Sequence, residues 1–343
     1  MRKKTIFSFV ILLTIISSCG TRNETITRSF YYWRSNFTLG ADGRKMLSEL
    51  HVSKIYLKFF DVDVFEDEPF PKSTLHVLDS VPSGIEIIPV VFITNATLKS
   101  LAGEYALEEL AGKIIRKVKG IQNCFTTINK FKEIQFDCDW SEETRDRYFY
   151  LLKQIQEKFE EPITLSATIR LHQIKYFERT GVPPVTRGTL MFYNMGKIED
   201  MNGGNSIFNE KDASSYLVNF DKYPLPLDVA LPVFSWAIAF REGKIFGLIN
   251  EVDEDLRKND ALKLVKDNLF EVQKTIRYDD VLLMPGDNVK FEETGPEEAS
   301  SAAKLIRPHL AQDSVTVTLF DYDYKNLSKY KISSIEKIYS YFD

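Results

Sequence analysis

The chain has 343 residues, 44% of them hydrophobic and 27% charged, which excludes a disordered chain, a collagen-like repeat and a small disulfide scaffold. Its formal charge is −5, and −8 once the basic residues Arg2, Lys3 and Lys4 are set aside with the leader they belong to. So acidic a chain is a poor partner for nucleic acid or an anionic membrane face, and no nucleic acid is expected among its partners.

The basic tip is followed by the apolar run Thr5 to Ile16, about a dozen residues, too few to span a bilayer, so it reads as an export signal. Its end, Ile16-Ser17-Ser18-Cys19, resembles the bacterial lipobox, in which the Cys is acylated and becomes the new N-terminus. The expected organisation is a signal peptide over 1–18, a lipidated polar tether over 19–26 and a single folded domain over 27–343. That places the protein in the bacterial cell envelope, at the outer membrane, held by lipid on Cys19. An ordinary secreted protein with an unmodified Cys19 is the alternative. Cys124 and Cys138 either pair in the oxidising compartment or remain two buried thiols. The four histidines, His51, His76, His172 and His309, are scattered and no Cys-Cys or His-Cys spacing occurs, so neither a zinc site nor any cofactor is expected.

Beyond the tether, short β-branched and aromatic runs alternate with helical stretches. Strands are expected at Arg28 to Trp33, Ser53 to Phe60, Glu86 to Ile93, Glu133 to Asp139, Ile163 to Ile169, Thr189 to Tyr193, Leu227 to Ser235 and Ser314 to Phe320. Helices are expected at Gly43 to Leu50, Ser73 to Leu78, Leu107 to Ile128, Glu142 to Phe159, Leu171 to Thr180, Lys211 to Asn219, Asp260 to Arg277 with Glu297 to Leu310, and Ser333 to Tyr341. Eight strand-helix pairs predict an α/β fold, a (β/α)8 TIM barrel. Met195 to Asn209 reads as a long loop after strand six, and Trp236 to Asn250 as a β-hairpin insertion after strand seven. The run from Asp61 to Glu68 lacks the spacing of a calcium loop and reads as a solvated acidic loop.

The stretch Glu133-Ile-Gln-Phe-Asp-Cys-Asp-Trp-Ser-Glu-Glu carries the most information. Alternation puts Gln135, Asp137 and Asp139 on one face of the strand and Ile134, Phe136 and Cys138 on the other. The apolar face packs on helices, so the carboxylates turn into the barrel, where two of them cannot ionise cheaply without cations or hydrogen bonds. Ser141, Glu142 and Glu143 suit the first turn of the following helix. Other strand ends offer Tyr31 and Trp33, Lys58 and Asp61, Arg170, Tyr193 and Asn194, and Trp236. Aromatic rings beside carboxylates are the composition of a sugar site. Lys58 is either a counter-ion to Asp137 or a group of the site.

Phe136-Asp-Cys-Asp-Trp and Leu190-Met-Phe-Tyr-Asn resemble the signature strands of family 18 glycoside hydrolases, the chitinase-like barrels, which end Asp-x-Asp-x-Glu and Met-x-Tyr-Asp. The resemblance implies catalytic roles: Asp137 and Asp139 match the two aspartates, Asp139 orienting the substrate acetamido group, and Tyr193 matches the tyrosine that helps hold it. Trp140 matches the aromatic between Asp and Glu. The chain departs from the family where Ser141 replaces the acid Glu and Asn194 replaces the sixth-strand Asp. A serine hydroxyl is no general acid near neutral pH, and Glu142, one residue on, serves only if the turning backbone recruits it. Segments such as Phe30-Tyr-Tyr-Trp, Ile55-Tyr-Leu-Lys-Phe-Phe-Asp-Val-Asp and Val229-Ala-Leu-Pro-Val-Phe-Ser-Trp are similar to a family of bacterial barrel lipoproteins of unknown function. That resemblance implies the barrel and the aspartates but no activity.

Two functional readings stand level. One is a lipid-anchored glycosidase-like protein acting on an amino-sugar-containing glycan, with Asp137, Asp139, Tyr193 and Glu142 as its catalytic set. The other is a non-catalytic carbohydrate-binding barrel in which Trp33, Lys58, Arg170, Asn194 and Trp236 recognise the glycan. An envelope scaffold that binds protein partners is a third class.

Overall fold

The computed structural model describes residues 25–125, 130–250, 252, 254–278, 280–310, 312 and 314–343. The leader, Cys19 and most of the tether lie outside these residues. Each β-branched and aromatic run forms a strand: Thr25–Tyr32, Lys54–Phe65, Glu86–Ile93, Glu133–Asp137, Thr164–Arg170, Arg187–Met191, Leu227–Pro232 and Ser314–Phe320. Neighbours pair in parallel, and the first strand pairs with both the second and the last. The chain is therefore a closed (β/α)8 barrel. The first strand begins inside the expected tether, with Thr25 and Ile26 beside Ser314 and Val315.

Alternation sorts the fourth strand as its sequence dictates. Ile134, Phe136 and Cys138 join the apolar layer outside the barrel with Tyr148, Leu151, Leu152 and Ile155 of helix Arg145–Lys158. Trp140 belongs to that layer too, stacked on Tyr148 at 5.2 Å between ring centroids and donating its indole N–H to Thr180 O at 2.9 Å. Cys138 is a buried free thiol and Cys124 an exposed one, so the two are not paired. The inward face is a polar ladder in which each rung has partners. Glu133 accepts from Lys54 Nζ (3.2 Å) and Ser166 Oγ (2.6 Å). Above it, Gln135 accepts from the Tyr31 hydroxyl (2.5 Å) and donates to Thr189 Oγ1 (2.9 Å).

Four expectations fail. Ser73 to Leu78 is not a helix. The second strand runs on to Phe65, turns through Glu66 and Asp67, both at positive φ, and returns as Glu68–Lys72, so the acidic run is a β-hairpin and not a solvated loop. After it, His76–Val77 pairs with Asn36–Phe37. Asp260 to Arg277 is not a helix either: Leu262–Lys266 and Leu269–Val272 are antiparallel strands, turned at Asp267, which is at positive φ. Apolar residues crowded in a short segment read alike as strand or helix, and here the neighbouring strands decide. Finally, the third helix runs over Gly103–Gln122, four residues ahead of its expected start.

The insertion after the seventh strand is larger than a hairpin. Ser235–Arg241 and Lys244–Asn250 join Asn288–Glu293, Leu269–Val272 and Leu262–Lys266 in a five-stranded antiparallel sheet. Its two faces divide by the same alternation: Ala237 and Ala239 pack with Val272, Val289 and Phe291 in a core of their own. Trp236, Ile238 and Phe240 instead join Tyr31, Tyr56 and Tyr193 over the barrel mouth.

At the opposite end of the barrel, Asp228 accepts from Thr316 N (2.7 Å) and faces Arg187 Nε (2.8 Å). Burial outweighs both and lifts its carboxyl to about 6. An aspartate raised above its unfolded value of about 3.9 favours folding while protonated, and that contribution is lost as pH rises through the folded value. Urea unfolding should therefore show stability falling by on the order of 3 kcal/mol more between about pH 4 and 6 in the parent than in Asp228→Asn. An equal fall in both would remove Asp228 as the source.

Candidate functional site

The site grows from the top rung of the ladder. Asp137, 2% exposed, ends the fourth strand and accepts from Thr168 Oγ1 (2.5 Å) and Arg170 Nη2 (3.1 Å). Two residues on, Asp139 accepts from Arg170 Nε and leaves about half its side chain exposed. One guanidinium, carried by the end of the fifth strand, thus lies between two carboxylates of the fourth. Burial pushes the Asp137 carboxyl up, Arg170 opposes this, and Asp139 adds to it. For Arg170 burial works against the charge, yet the two carboxylates hold it more firmly protonated than usual. The counter-ion of Asp137 is therefore Arg170 and not Lys58, which pairs with Asp61 at 3.3 Å and lies 5.4 Å from the ring centre of Trp33.

Around this cluster opens a cavity of about 760 Å3. Asp137, Asp139, Arg170, Trp33, Lys58, Tyr193, Asn194 and Trp236 all line it, drawn from five barrel strands and the insertion. The rings form a continuous wall: Tyr193 stacks on Phe320 at 5.1 Å, Phe234 meets Tyr193 at 5.9 Å and Trp236 at 5.5 Å, and Trp33 lies 5.8 Å from Phe320. The Tyr193 hydroxyl is buried without a hydrogen-bond partner, and burial raises its pKa well above the usual phenol value. A buried polar atom left unpaired costs about 1–3 kcal/mol, unless a ligand supplies the partner. Asn194 takes the left-handed conformation (φ 54°), and its backbone N–H donates to Ile207 O at 2.7 Å.

Glu142 is not among the residues lining the cavity. It is exposed, and Arg179, donating to it, holds its carboxyl below the usual glutamate value. Ser141 is exposed as well, its backbone N–H donating to Thr144 Oγ1 at 3.0 Å as the chain enters the helix. Among the lining residues that sequence reasoning missed, Phe320 ends the eighth strand and Asp321 and Asp323 follow it, so the rule applied to the other strand ends finds them. Phe234 and Ser235, the last two residues of the stretch expected as strand seven, lie beyond the observed strand, where Ser235 opens the insertion sheet. Among the described residues no group of three or more His, Cys, Asp or Glu is disposed to hold a metal ion.

A second buried pair holds the wall in place, and no sequence signal announced it. Lys290 Nζ lies 2.8 Å from Glu292 Oε1, both side chains fully buried, and donates to Asp200 O (3.1 Å) and Gly204 O (2.9 Å) in the loop after the sixth strand. Glu292 Oε2 accepts from Ser206 Oγ of that loop and from the Trp236 indole N–H at 2.8 Å. One ion pair thus ties the insertion sheet, the loop and a ring of the cavity together.

No family model and no curated protein matches the chain. Solved structures do. The chain is similar to the Bacillus cereus spore cortex-lytic enzyme SleL, with a TM-score of 0.55 and 11% identity over 93% of this chain and 75% of that one. It is also similar to the C-terminal domain of a putative chitinase from Desulfitobacterium hafniense (TM-score 0.52, 11% identity, 93% and 99% covered). A glycoside hydrolase family 18 N-acetylglucosaminidase from Paenibacillus barengoltzii gives 0.50 at 11% identity, with 91% and 99% covered. Identities this low show a shared fold alone: the barrel of this chain is similar to the barrels of these enzymes.

Removing one partner of a fully buried ion pair leaves an uncompensated charge, which costs about 3–5 kcal/mol. Lys290→Ala should lose that much stability in urea unfolding and red-shift the Trp236 fluorescence as Glu292 is released. A loss below 1 kcal/mol would show that the pair does not hold the insertion.

Proposed function

We propose that the protein recognises an amino-sugar-containing glycan in the cavity at the C-terminal face of the barrel, and that it does so without acid-assisted cleavage of the glycosidic bond. The observation that carries this reading is the joining, in one cavity, of ring faces, buried carboxylates and the unpartnered Tyr193 hydroxyl, while the place of the acid is held by exposed Ser141. Sugar rings stack on aromatic faces, and their hydroxyls bond to carboxylates and phenols. Trp33, Tyr193 and Trp236 act as platforms in this account, and Asp139, with its exposed oxygen, is the carboxylate a ligand reaches. Membership of the envelope by acylation of Cys19 is part of the proposal, supported by the lipobox-like Ile16-Ser17-Ser18-Cys19.

A second reading, hydrolysis, draws support from one feature. Asp137 and Asp139 stand two residues apart on one strand face in unlike surroundings, one buried with its pKa raised and one half exposed, and carboxyl pairs set apart in this way are what acid–base chemistry uses.

Calorimetry with soluble amino-sugar oligomers tests the first reading. Tyr193→Phe should weaken binding about fivefold, the worth of one hydrogen bond of about 1 kcal/mol. Trp236→Ala should weaken it more, by about 30-fold, as loss of a ring platform of about 2 kcal/mol. Binding unaltered by both variants would place the ligand elsewhere. Release of product from chitin fragments, peptidoglycan or N-glycans by the parent, lost in Asp137→Asn, would favour the second reading over the first. Labelling with a radioactive fatty acid should mark the parent in bacterial cells and leave Cys19→Ala unmarked; equal labelling would overturn the anchoring.

A further inference from the structure

The charge inside the cavity is lopsided. Five carboxylates line it, Asp61, Asp137, Asp139, Asp321 and Asp323, against the two permanent cations Lys58 and Arg170. Lys58 is matched by Asp61 at 3.3 Å, and Asp323 is matched from outside the lining by Arg34 at 2.9 Å. Arg170 alone faces both Asp137 and Asp139, so with both carboxylates ionised that cluster carries one negative charge more than it neutralises. Asp137 is sealed at 2% exposure, and the surplus comes to the cavity at Asp139, about half exposed. The histidine of the lining, His172, does not redress the balance, because burial lowers its pKa and favours the neutral ring.

Two independent features mark the place as made for a polar ligand. The Tyr193 and Ser235 hydroxyls, each on a residue 5% exposed, line the cavity and have no hydrogen-bond partner. Beside them stand the ring faces of Trp33 and Trp236, whose π-electrons attract cations. A cleft with one sign of charge and low-dielectric aromatic walls concentrates the opposite sign. A neutral acetamido group makes no use of that field. An ammonium does, bringing a unit charge and three N–H donors to Asp139, a charge-assisted bond that is roughly twice as strong as a neutral one.

We infer that the ligand class of this cavity is a de-N-acetylated amino sugar, whose free ammonium is received by Asp139 between the aromatic walls, in preference to the N-acetylated form. The inference rests on the glycan-binding reading above and narrows it. It also assigns Asp139 a role of its own in this chain: Arg170 already occupies one of its oxygens, and the carboxylate acts on the ligand through charge.

The test is calorimetric titration of the purified protein with the tetramer of β-1,4-linked glucosamine and, separately, with its fully N-acetylated counterpart. The de-acetylated tetramer should bind at least tenfold more tightly, and the margin should shrink as salt rises from 50 to 500 mM, where screening shortens to a few ångströms. Asp139→Asn, shown to be folded by its thermal transition, should narrow the margin further. Equal or tighter binding of the N-acetylated tetramer would overturn this inference and leave the glycan reading standing. Binding of neither would overturn both. Tight binding of the de-acetylated tetramer with no response to salt would also overturn it, since charge would then not be the cause.

Discussion

The Arg170 guanidinium between Asp137 and Asp139 is the contact on which the site depends. Two carboxylates placed two residues apart on one face of a strand repel each other, and burial in a barrel magnifies the repulsion. A single planar cation reaching across from the next strand meets one oxygen of each. That arrangement fixes where the fourth and fifth strands end relative to one another. It also sets the character of the cavity, because one cation against two acids leaves negative charge at the solvent side.

Below that contact the barrel interior is polar further down than a packed apolar core requires. Glu133, Gln135 and Asp137 form successive rungs, each held by groups from other strands, some next to the fourth and some across the barrel: Lys54 and Ser166, Tyr31 and Thr189, Thr168 and Arg170. Satisfied in this way, buried polar groups specify one register, since a shift of one residue would turn every rung onto the apolar layer outside. The lower rungs make the top one rigid, and a rigid top rung presents Asp139 at a fixed place.

The insertion solves a different problem. A ring platform is useful only if its plane is fixed, and Trp236 lies on a sheet that is not part of the barrel. Lys290 and Glu292 connect that sheet to the loop after the sixth strand and to the indole N–H, Lys290 donating to Asp200 O and Gly204 O and Glu292 Oε2 accepting from Ser206 and Trp236, while Glu292 Oε1 meets the ammonium by charge at 2.8 Å. The charge attraction and these four hydrogen bonds work against the cost of burying both groups and give the wall one geometry.

Much of this was legible in the chain itself. The alternation of Ile134, Phe136 and Cys138 against Gln135, Asp137 and Asp139 sends each residue to its face by a local rule, and the eight strand runs and the Glu242-Gly243 turn follow from equally local preferences. Strand ends converge at one face of any such barrel, so eight of the nine residues expected at the site could be named as neighbours without knowing a single distance. What the sequence could not carry were choices made between distant segments. Whether Lys58 or Arg170 meets Asp137 depends on barrel stagger; whether 260–277 is helix or strand depends on the edge that Asn288–Glu293 offers it. Glu142 is drawn off by Arg179, 37 residues away in the chain, and the Lys290–Glu292 pair bonds residues about 90 positions apart. Local propensity and alternation are properties of neighbours in sequence, whereas charge pairing and sheet membership are decided by which segments the closed barrel brings within a few ångströms.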